Sequence, residues 1–438
     1  MQIPAGPKGT RDFYPEDMSF RQALFSSWRA TCLRYGFEEY DGPLFEHLEL
    51  FTQKSGNEIE KQLYAFEDKG GRMIALRPEL TPTLARMVAA RGNTLKRPVR
   101  WFSIPRLFRY ERMQKGRLRE FFQLNMDILG IAEETADAEL IAASIAMMRD
   151  CGFSKDDFTV HISSRTLLEE LFLSMGIGGD ECARLFSVLD KRHKVPQEEF
   201  DAELAAIVAG HVSPATINAV LNATSLDDLK TGANSPPSIG KLERLFDLLG
   251  CYGVADFCAF DIGIVRGLAY YTGVVFELFD KKRSLRAIAG GGRYDGLVKL
   301  YGGPDTPAVG FAAGDVVLGE MLREKQFSAS QPRSSVYIAS FDDLHPKSAI
   351  AAAEVLRAAG ISCEFSLKKN NIGKQMEQAN SAHASMVVFV GGDEEKQGHL
   401  KVRNMKSGVE AVIAASKLVV YLQDALQKTV QGPSRSAS

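Results

Sequence analysis

Residues 102–130, FSIPRLFRYERMQKGRLREFFQLNMDILG, gather many side chains able to bind or activate a polar substrate. The first limb alternates, with Phe102, Ile104, Phe108 and Tyr110 on one face and Leu107, Arg109 and Glu111 on the other. In the second limb Phe121, Gln123, Asn125 and Asp127 share a face, opposite Leu124, Met126 and Ile128. Between them residues 113–119 are polar and include Gly116, which marks a turn. Folded as an antiparallel hairpin, the limbs put Arg109, Glu111, Gln123 and Asp127 on one sheet face. Such groups are costly among apolar neighbours unless they pair, hold a polar ligand or face water. The hairpin alone leaves a solvated outer face and a binding site both open.

Three further segments weigh toward a site. LRPELTP, residues 76–82, brings Arg77, Glu79 and Thr81 together in a stretch stiffened by Pro78 and Pro82. DIGIVRGLAYYTGVVFE, residues 261–277, sets Arg266 beside Gly267, then Tyr270 and Tyr271, at the entry to a β-branched strand. AIAGGGRYDG, residues 287–296, places three glycines before Arg293, Tyr294 and Asp295. Such a run lets backbone approach a ligand and offers N–H donors to an anion. It is not a GxxxxGK[ST] phosphate loop, and no GxGxxG follows a strand.

The elements that must position these residues fall into three parts. A helix is expected over residues 15–36, with Phe20, Leu24, Trp28 and Leu33 at helical spacing and Gly36 as its stop. Strands and short helices follow to about residue 130. Residues 165–250 are rich in Leu, Ala, Asp and Glu at helical spacing, a helical insertion, and strand-like sequence resumes at Phe257. FSASQPRSS, residues 327–335, has linker chemistry. Beyond it, strand, helix, strand, helix and strand in close succession predict a small α/β domain with a largely parallel sheet. QGPSRSAS, residues 431–438, reads as a disordered tail.

Composition narrows the class. The chain has 438 residues, 45% hydrophobic and 25% charged, as in a globular protein of several domains. Lys and Arg number 53 against 55 Asp and Glu, so the net charge of -2 excludes a globally basic nucleic-acid coat but allows local patches. Lys368, Lys369, Lys374, Lys401, Arg403 and Lys406 form one candidate patch, an ordinary solvated face being the alternative. Six cysteines with no C-x-x-C pair indicate neither a disulfide framework nor a zinc site, and no metal site is expected from the protein's own ligands. No apolar run nears the ~18 residues of a membrane span, and MQIPAGPKGTRDFYPED has no apolar signal core. A cytoplasmic protein is expected.

KGTRDFYP (8–15), GFEEYDGP (36–43), LRPELTP, FRYERMQKGRLREFFQLNMDILG, RGLAYYTGVVFE and GGGRYDGL, in this order, resemble the histidyl-tRNA synthetase family of class II aminoacyl-tRNA synthetases. The resemblance implies an α+β fold, a class II synthetase-type antiparallel sheet flanked by helices. Its catalytic core spans 1–164 and 251–326, interrupted by a helical insertion at 165–250. A linker at 327–335 leads to a C-terminal α/β anticodon-binding domain at 336–430. The implied reaction joins L-histidine to its cognate tRNA through a histidyl-adenylate, with ATP as substrate and Mg2+ as cofactor. Members are homodimers, and GFEEYDGP matches their interface segment.

The resemblance also implies residue roles. Arg109 matches the arginine on the α-phosphate and carboxylate, and Arg266 the catalytic arginine on the opposite side of that phosphate; a guanidinium fork suits both. Glu111 matches the acid reading the adenine amino group, and Arg117 an arginine near the distal phosphates. Glu79, Thr81 and Gln123 match the group around the substrate ammonium. Asp127 with Tyr271 matches the pair reading the imidazole, with Tyr270 and Tyr294 in the same pocket. Gln114, Lys115 and Arg119 would meet the tRNA acceptor end. One position departs: in AVGFAAGDVVLGEM, Val317 stands where the family carries an arginine for the γ-phosphate. An alternative reading is a catalytically silent paralogue, a regulatory subunit in histidine biosynthesis. Arg266 and the domain after residue 333 argue for the ligase, because such regulators lack that domain and tend to lose the arginine.

Overall fold

The computed structural model describes residues 3–53, 61–112, 114, 116–190, 192, 195–230, 235–265, 270–325, 327, 335–341 and 347–430. Arg266, Lys115, most of the expected linker and the expected tail lie outside these residues. The chain divides into two compact units, Met1–Ser328 and Ala329–Ser438.

The first unit contains β1 (Glu38–Glu39), β2 (Phe45–His47), β3 (Ala65–Glu67), β4 (Met73–Leu76), β5 (Val99–Ser103), β6 (Arg106–Phe108), β7 (Glu120–Leu129), β8 (Phe158–Ser164), β9 (Cys258–Phe260), β10 (Val274–Asp280), β11 (Ala289–Arg293) and β12 (Ala308–Gly314). The main sheet runs β1-β5-β7-β12-β11-β10-β8-β9, with β6 also on β7. Its interior pairings are antiparallel, and the edge pairs β1/β5 and β8/β9 are parallel. The expected hairpin is present. Ile104 and Pro105 split its first limb into β5 and β6, yet one register runs from Val99↔Leu129 to Phe108↔Glu120. Parity therefore holds, and Arg109 shares the face of Gln123 and Asp127.

The two sheet faces differ. Phe102, Leu124, Met126, Ile128, Phe276 and Phe311 bury one face against the helices Pro15–Arg34 and Glu134–Asp150. The first of these helices buries Leu24, Trp28, Thr31 and Cys32, while Leu33, expected on the buried stripe, is 63% exposed. Cys32 instead continues the i, i+4 row from Leu24 and Trp28. Gly36, at φ +74°, then reverses the chain, a conformation glycine adopts freely. Arg293 ion-pairs with Asp137 on the second helix, a buried contact that anchors β11 on this side. Residues 165–250 are helical: Arg165–Ser174, Gly179–Leu189, Gln197–Val208, Pro214–Leu221 and Pro237–Cys251, with the last packed on Glu134–Asp150.

The second unit holds β13 (Val336–Ser340), β14 (Cys363–Phe365), β15 (Met386–Val390), β16 (His399–Asn404) and β17 (Glu410–Ala414), ordered β14-β13-β15-β16-β17. Only the first three strands are parallel, so the expectation of a largely parallel sheet is corrected. The missing half is the β16–β17 hairpin. Its turn is shaped by the Asn404 side chain, which accepts from the Lys406 and Ser407 amides, and by Gly408 at φ +72°.

The glycine run is also corrected. Residues 290–292 are not a ligand loop: they lie within β11, paired on both sides. The close approach is to neighbouring strands, since a Cβ on Gly291 would lie 2.2 Å from the Gly310 carbonyl oxygen and 2.6 Å from Phe311 Cβ. Gly291 thus lets the Phe276 and Phe311 rings meet across it, their centroids 6.4 Å apart. Gly291→Ala should cost about 2–4 kcal/mol, read from the denaturation midpoint. An unchanged midpoint would contradict this packing.

Candidate active site

The sheet face away from the long helices is a trough with a floor of small residues. One cross-strand row reads Trp101, Asp127, Gly310, Gly292 and Val275; the next reads Ser103, Asn125, Ala312, Gly290 and Glu277. A Cβ on Gly310 would come 1.9 Å from Asp127 Oδ1, so this glycine makes room for the carboxylate. Asp127 and Asn125 are each 4% exposed, which overturns the solvated-face alternative.

Tyrosines wall the Asp127 end. The Tyr294 hydroxyl donates to Asp127 Oδ1 at 2.6 Å. Burial pushes the Asp127 carboxyl up to about 7, partly offset by that hydrogen bond. The Tyr271 ring packs on the floor at Gly292, within the same pocket. Tyr270 lies between them, its centroid 5.1 Å from Tyr271 and 6.0 Å from Tyr294. Its hydroxyl donates to Glu79 Oε2 at 2.7 Å. Burial, followed by the charge of Glu79, raises the Tyr270 phenol well above its usual range. Thr81, first residue of the helix Thr81–Arg91, stands beside it.

Arg109 bridges hairpin and wall. Its Nε donates to the Pro78 carbonyl at 2.9 Å, and its guanidinium lies 5.3 Å over the Phe121 ring. The same segment is held by Arg77, which is structural: its Nη1 donates to Asp41 at 2.6 Å and to the Gly42 carbonyl at 2.8 Å, and its Nε to the Arg106 carbonyl. Glu79 is therefore set on a braced backbone, with Arg109 tied to its neighbour. Gln123 lies on the same face, beyond Asn125.

At the far end the hairpin turn groups the other expected residues. Glu111 and Arg117 form an ion pair with each other. Arg119 lies 4.1 Å over the Tyr110 ring and donates to the Glu111 carbonyl. Gln114 is exposed and accepts from Arg286 at 2.6 Å. Val317, in the helix Asp315–Glu324, is buried close to Gly116, whose added Cβ would lie 3.1 Å from it. Asp315, at the start of that helix, accepts from Arg11 and from the Phe122 amide.

Two residues escaped the sequence reading. The Tyr40 hydroxyl is buried and has no hydrogen-bond partner among the described residues, and its ring leans on Trp101, the cross-strand neighbour of Asp127. It sits in GFEEYDGP, which reads as an interface segment. Arg286, in the loop between β10 and β11, carries no signal in the sequence. In the second unit, Lys368, Lys369, Lys374 and Lys406 are exposed, but Lys401 and Arg403 lie near Glu410, at 3.9 and 3.6 Å. That part of the basic patch is largely neutralised.

Comparison with known proteins places the chain among characterised relatives. The histidyl-tRNA synthetase family matches residues 9–315, and the anticodon binding domain matches residues 335–425. The chain is 41% identical to the chloroplastic/mitochondrial histidine–tRNA ligase of Arabidopsis thaliana, over 94% of this chain and 85% of that protein. It is 40% identical to the histidine–tRNA ligase of Opitutus terrae, over 95% and 97% of the two chains. The crystal structure of histidyl-tRNA synthetase from Nostoc shares the fold, with a TM-score of 0.79 at 24% identity, covering 97% of this chain and 100% of that one.

The electrostatics of Asp127 carry a measurable signature. An acid whose folded pKa lies above its unfolded value binds its proton more tightly in the fold. Stability therefore falls as pH rises from the unfolded value, about 4, to the folded value of about 7. Asp127→Asn removes this loss, so its melting temperature relative to wild type should gain at least about 3 °C between pH 5 and pH 8. An offset that stays constant over that range would rule out the raised pKa.

Proposed function

Because the chain belongs to the histidyl-tRNA synthetase family and ligates histidine to its tRNA, we propose that the trough is where histidine and ATP meet. The observation that carries this reading is the buried Asp127, held by Tyr294 at the end of a glycine floor. An acid there accepts from one imidazole N–H, and an apolar isostere is rejected because it would leave that buried carboxylate without the donor it requires. Glu79, with Thr81 and Gln123, receives the α-ammonium. Arg109 receives the carboxylate and the α-phosphate together, with Glu111 and Arg117 serving the nucleotide.

In the first step a histidine carboxylate oxygen attacks the α-phosphorus of ATP. The bond to the β-phosphate breaks, pyrophosphate leaves with the electron pair, and histidyl-adenylate forms. Arg109, with Arg266 on the opposite side, stabilises the charge that builds on the α-phosphate. In the second step a hydroxyl of the terminal tRNA ribose attacks the histidyl carbonyl and AMP departs. Magnesium would arrive with the nucleotide rather than on a side-chain site, and would supply charge neutralisation at the phosphates. Among the described residues no group of three metal-ligating side chains offers a resident site.

Gln114, Lys115 and Arg119 meet the acceptor end, and the second unit meets the anticodon through exposed lysines such as Lys368 and Lys374. The chain works in the cytoplasm as a homodimer; no helix among the described residues is long and apolar enough to cross a membrane.

Histidine-dependent ATP–pyrophosphate exchange, with and without magnesium, tests the reading directly. Exchange should require histidine, and Arg266→Ala should keep histidine affinity within a few fold while slowing adenylation about 10²-fold or more. Histidine binding without exchange would instead favour the silent regulatory paralogue. In sedimentation the protein should run at twice its chain mass; a monomer would refute the dimer.

A further inference from the structure

Val317 leaves the helix start at one corner of the trough without its cation, and the structure brings another to that corner. At this corner the hairpin turn, the start of the helix Asp315–Glu324 and the loop between β10 and β11 converge. Gly116 approaches Val317, and Gln114 accepts from Arg286 Nη2 at 2.6 Å. The Gly314 amide donates to the Ile288 carbonyl, so Arg286 emerges beside the point where β12 passes into the helix.

The loop that carries Arg286 is built, not slack. The Asp280 carboxylate accepts from the Ser284 amide and hydroxyl, each at 2.9 Å, and from the Leu285 amide at 3.0 Å. The Ile288 amide then closes on the Leu278 carbonyl at 2.8 Å. Arg286 is thus presented from a fixed frame. Its hydrogen bond goes to a neutral amide oxygen, and among the described residues it has no carboxylate partner. Arg117 of the same corner, by contrast, is paired with Glu111.

We propose that Arg286 binds the distal phosphates of ATP, in place of the arginine absent at residue 317. The inference rests on the adenylation reading above. As the bond between the α-phosphorus and the bridging oxygen breaks, negative charge accumulates on the departing pyrophosphate. A guanidinium fork stabilises that charge and chelates two of its oxygens. Gln114 orients the fork without neutralising it, which a carboxylate at that position would do.

The test is exchange kinetics on the full chain with Arg286→Ala and Arg286→Lys. The alanine variant should raise the KM for ATP about tenfold or more and leave the KM for histidine within about twofold. Inhibition by AMP, which lacks the distal phosphates, should be unchanged, and the lysine variant should fall between. An unaltered KM for ATP would overturn the proposal. So would an equal loss of AMP affinity, because the residue would then act through the shape of the turn. Wild-type exchange measured alongside separates failure of the reaction from failure of Arg286's part in it.

Discussion

A carboxylate buried in the middle of a β-sheet needs space for its oxygens and a donor to face them. Asp127 obtains the space from Gly310, where any side chain would collide with it, and the donor from Tyr294. Both partners come from strands distant in sequence, so the fold must be complete before the acid is accommodated. Burial still leaves the charged form disfavoured. A protein that needed only stability would gain by placing an apolar side chain there. In the proposed site, binding of the imidazole offsets the cost of retaining the carboxylate.

That constraint explains the division of labour between the two sheet faces. Aromatic and aliphatic residues alternate onto the helix side, where Trp28, Phe102, Phe276 and Phe311 form a continuous core. This core holds the strands rigid, with Arg293 and Asp137 clamping β11 from behind. The opposite face can then be hollow. Its walls come from segments braced by specific contacts: Arg77 fixes the Glu79 stretch to residues 41–43, and Asp280 shapes the loop that ends in Arg286. Positions that must not move are supported by packing or by hydrogen bonds to backbone carbonyls.

Much of this was legible from residue order because period-2 alternation decides which side chains share a face. The unbroken register of β5, β6 and β7 carries Arg109, Gln123 and Asp127 where alternation puts them. Long-range partnership was not legible. Nothing local announces that Gly310 faces Asp127, that Tyr294 donates to it, or that Glu111 and Arg117 neutralise each other. Arg286 looks like any exposed loop cation until the turn carrying Gln114 folds against it. In the second unit the antiparallel β16–β17 hairpin was missed because His399–Asn404 mixes charged and apolar residues and reads as surface.

The glycine floor also limits how this protein can change over evolutionary time. Gly292 and Gly310 each lie within 3 Å of a neighbour's atoms at the point where a Cβ would stand. Every point substitution there adds atoms and none removes them, so the floor offers no graded path by which selection could reshape the trough. Exploration of new substrates is confined to the walls, where Tyr40, Tyr270, Tyr271 and Tyr294 can each shrink or lose a hydroxyl in a single step. At the rim, the proposed role of Arg286 would be a change of this kind, a cation supplied from a loop where a helix start carries valine, because the rim sets only where charge must lie and not which strand or helix delivers it. The trough's depth is inherited, and its chemistry is negotiable.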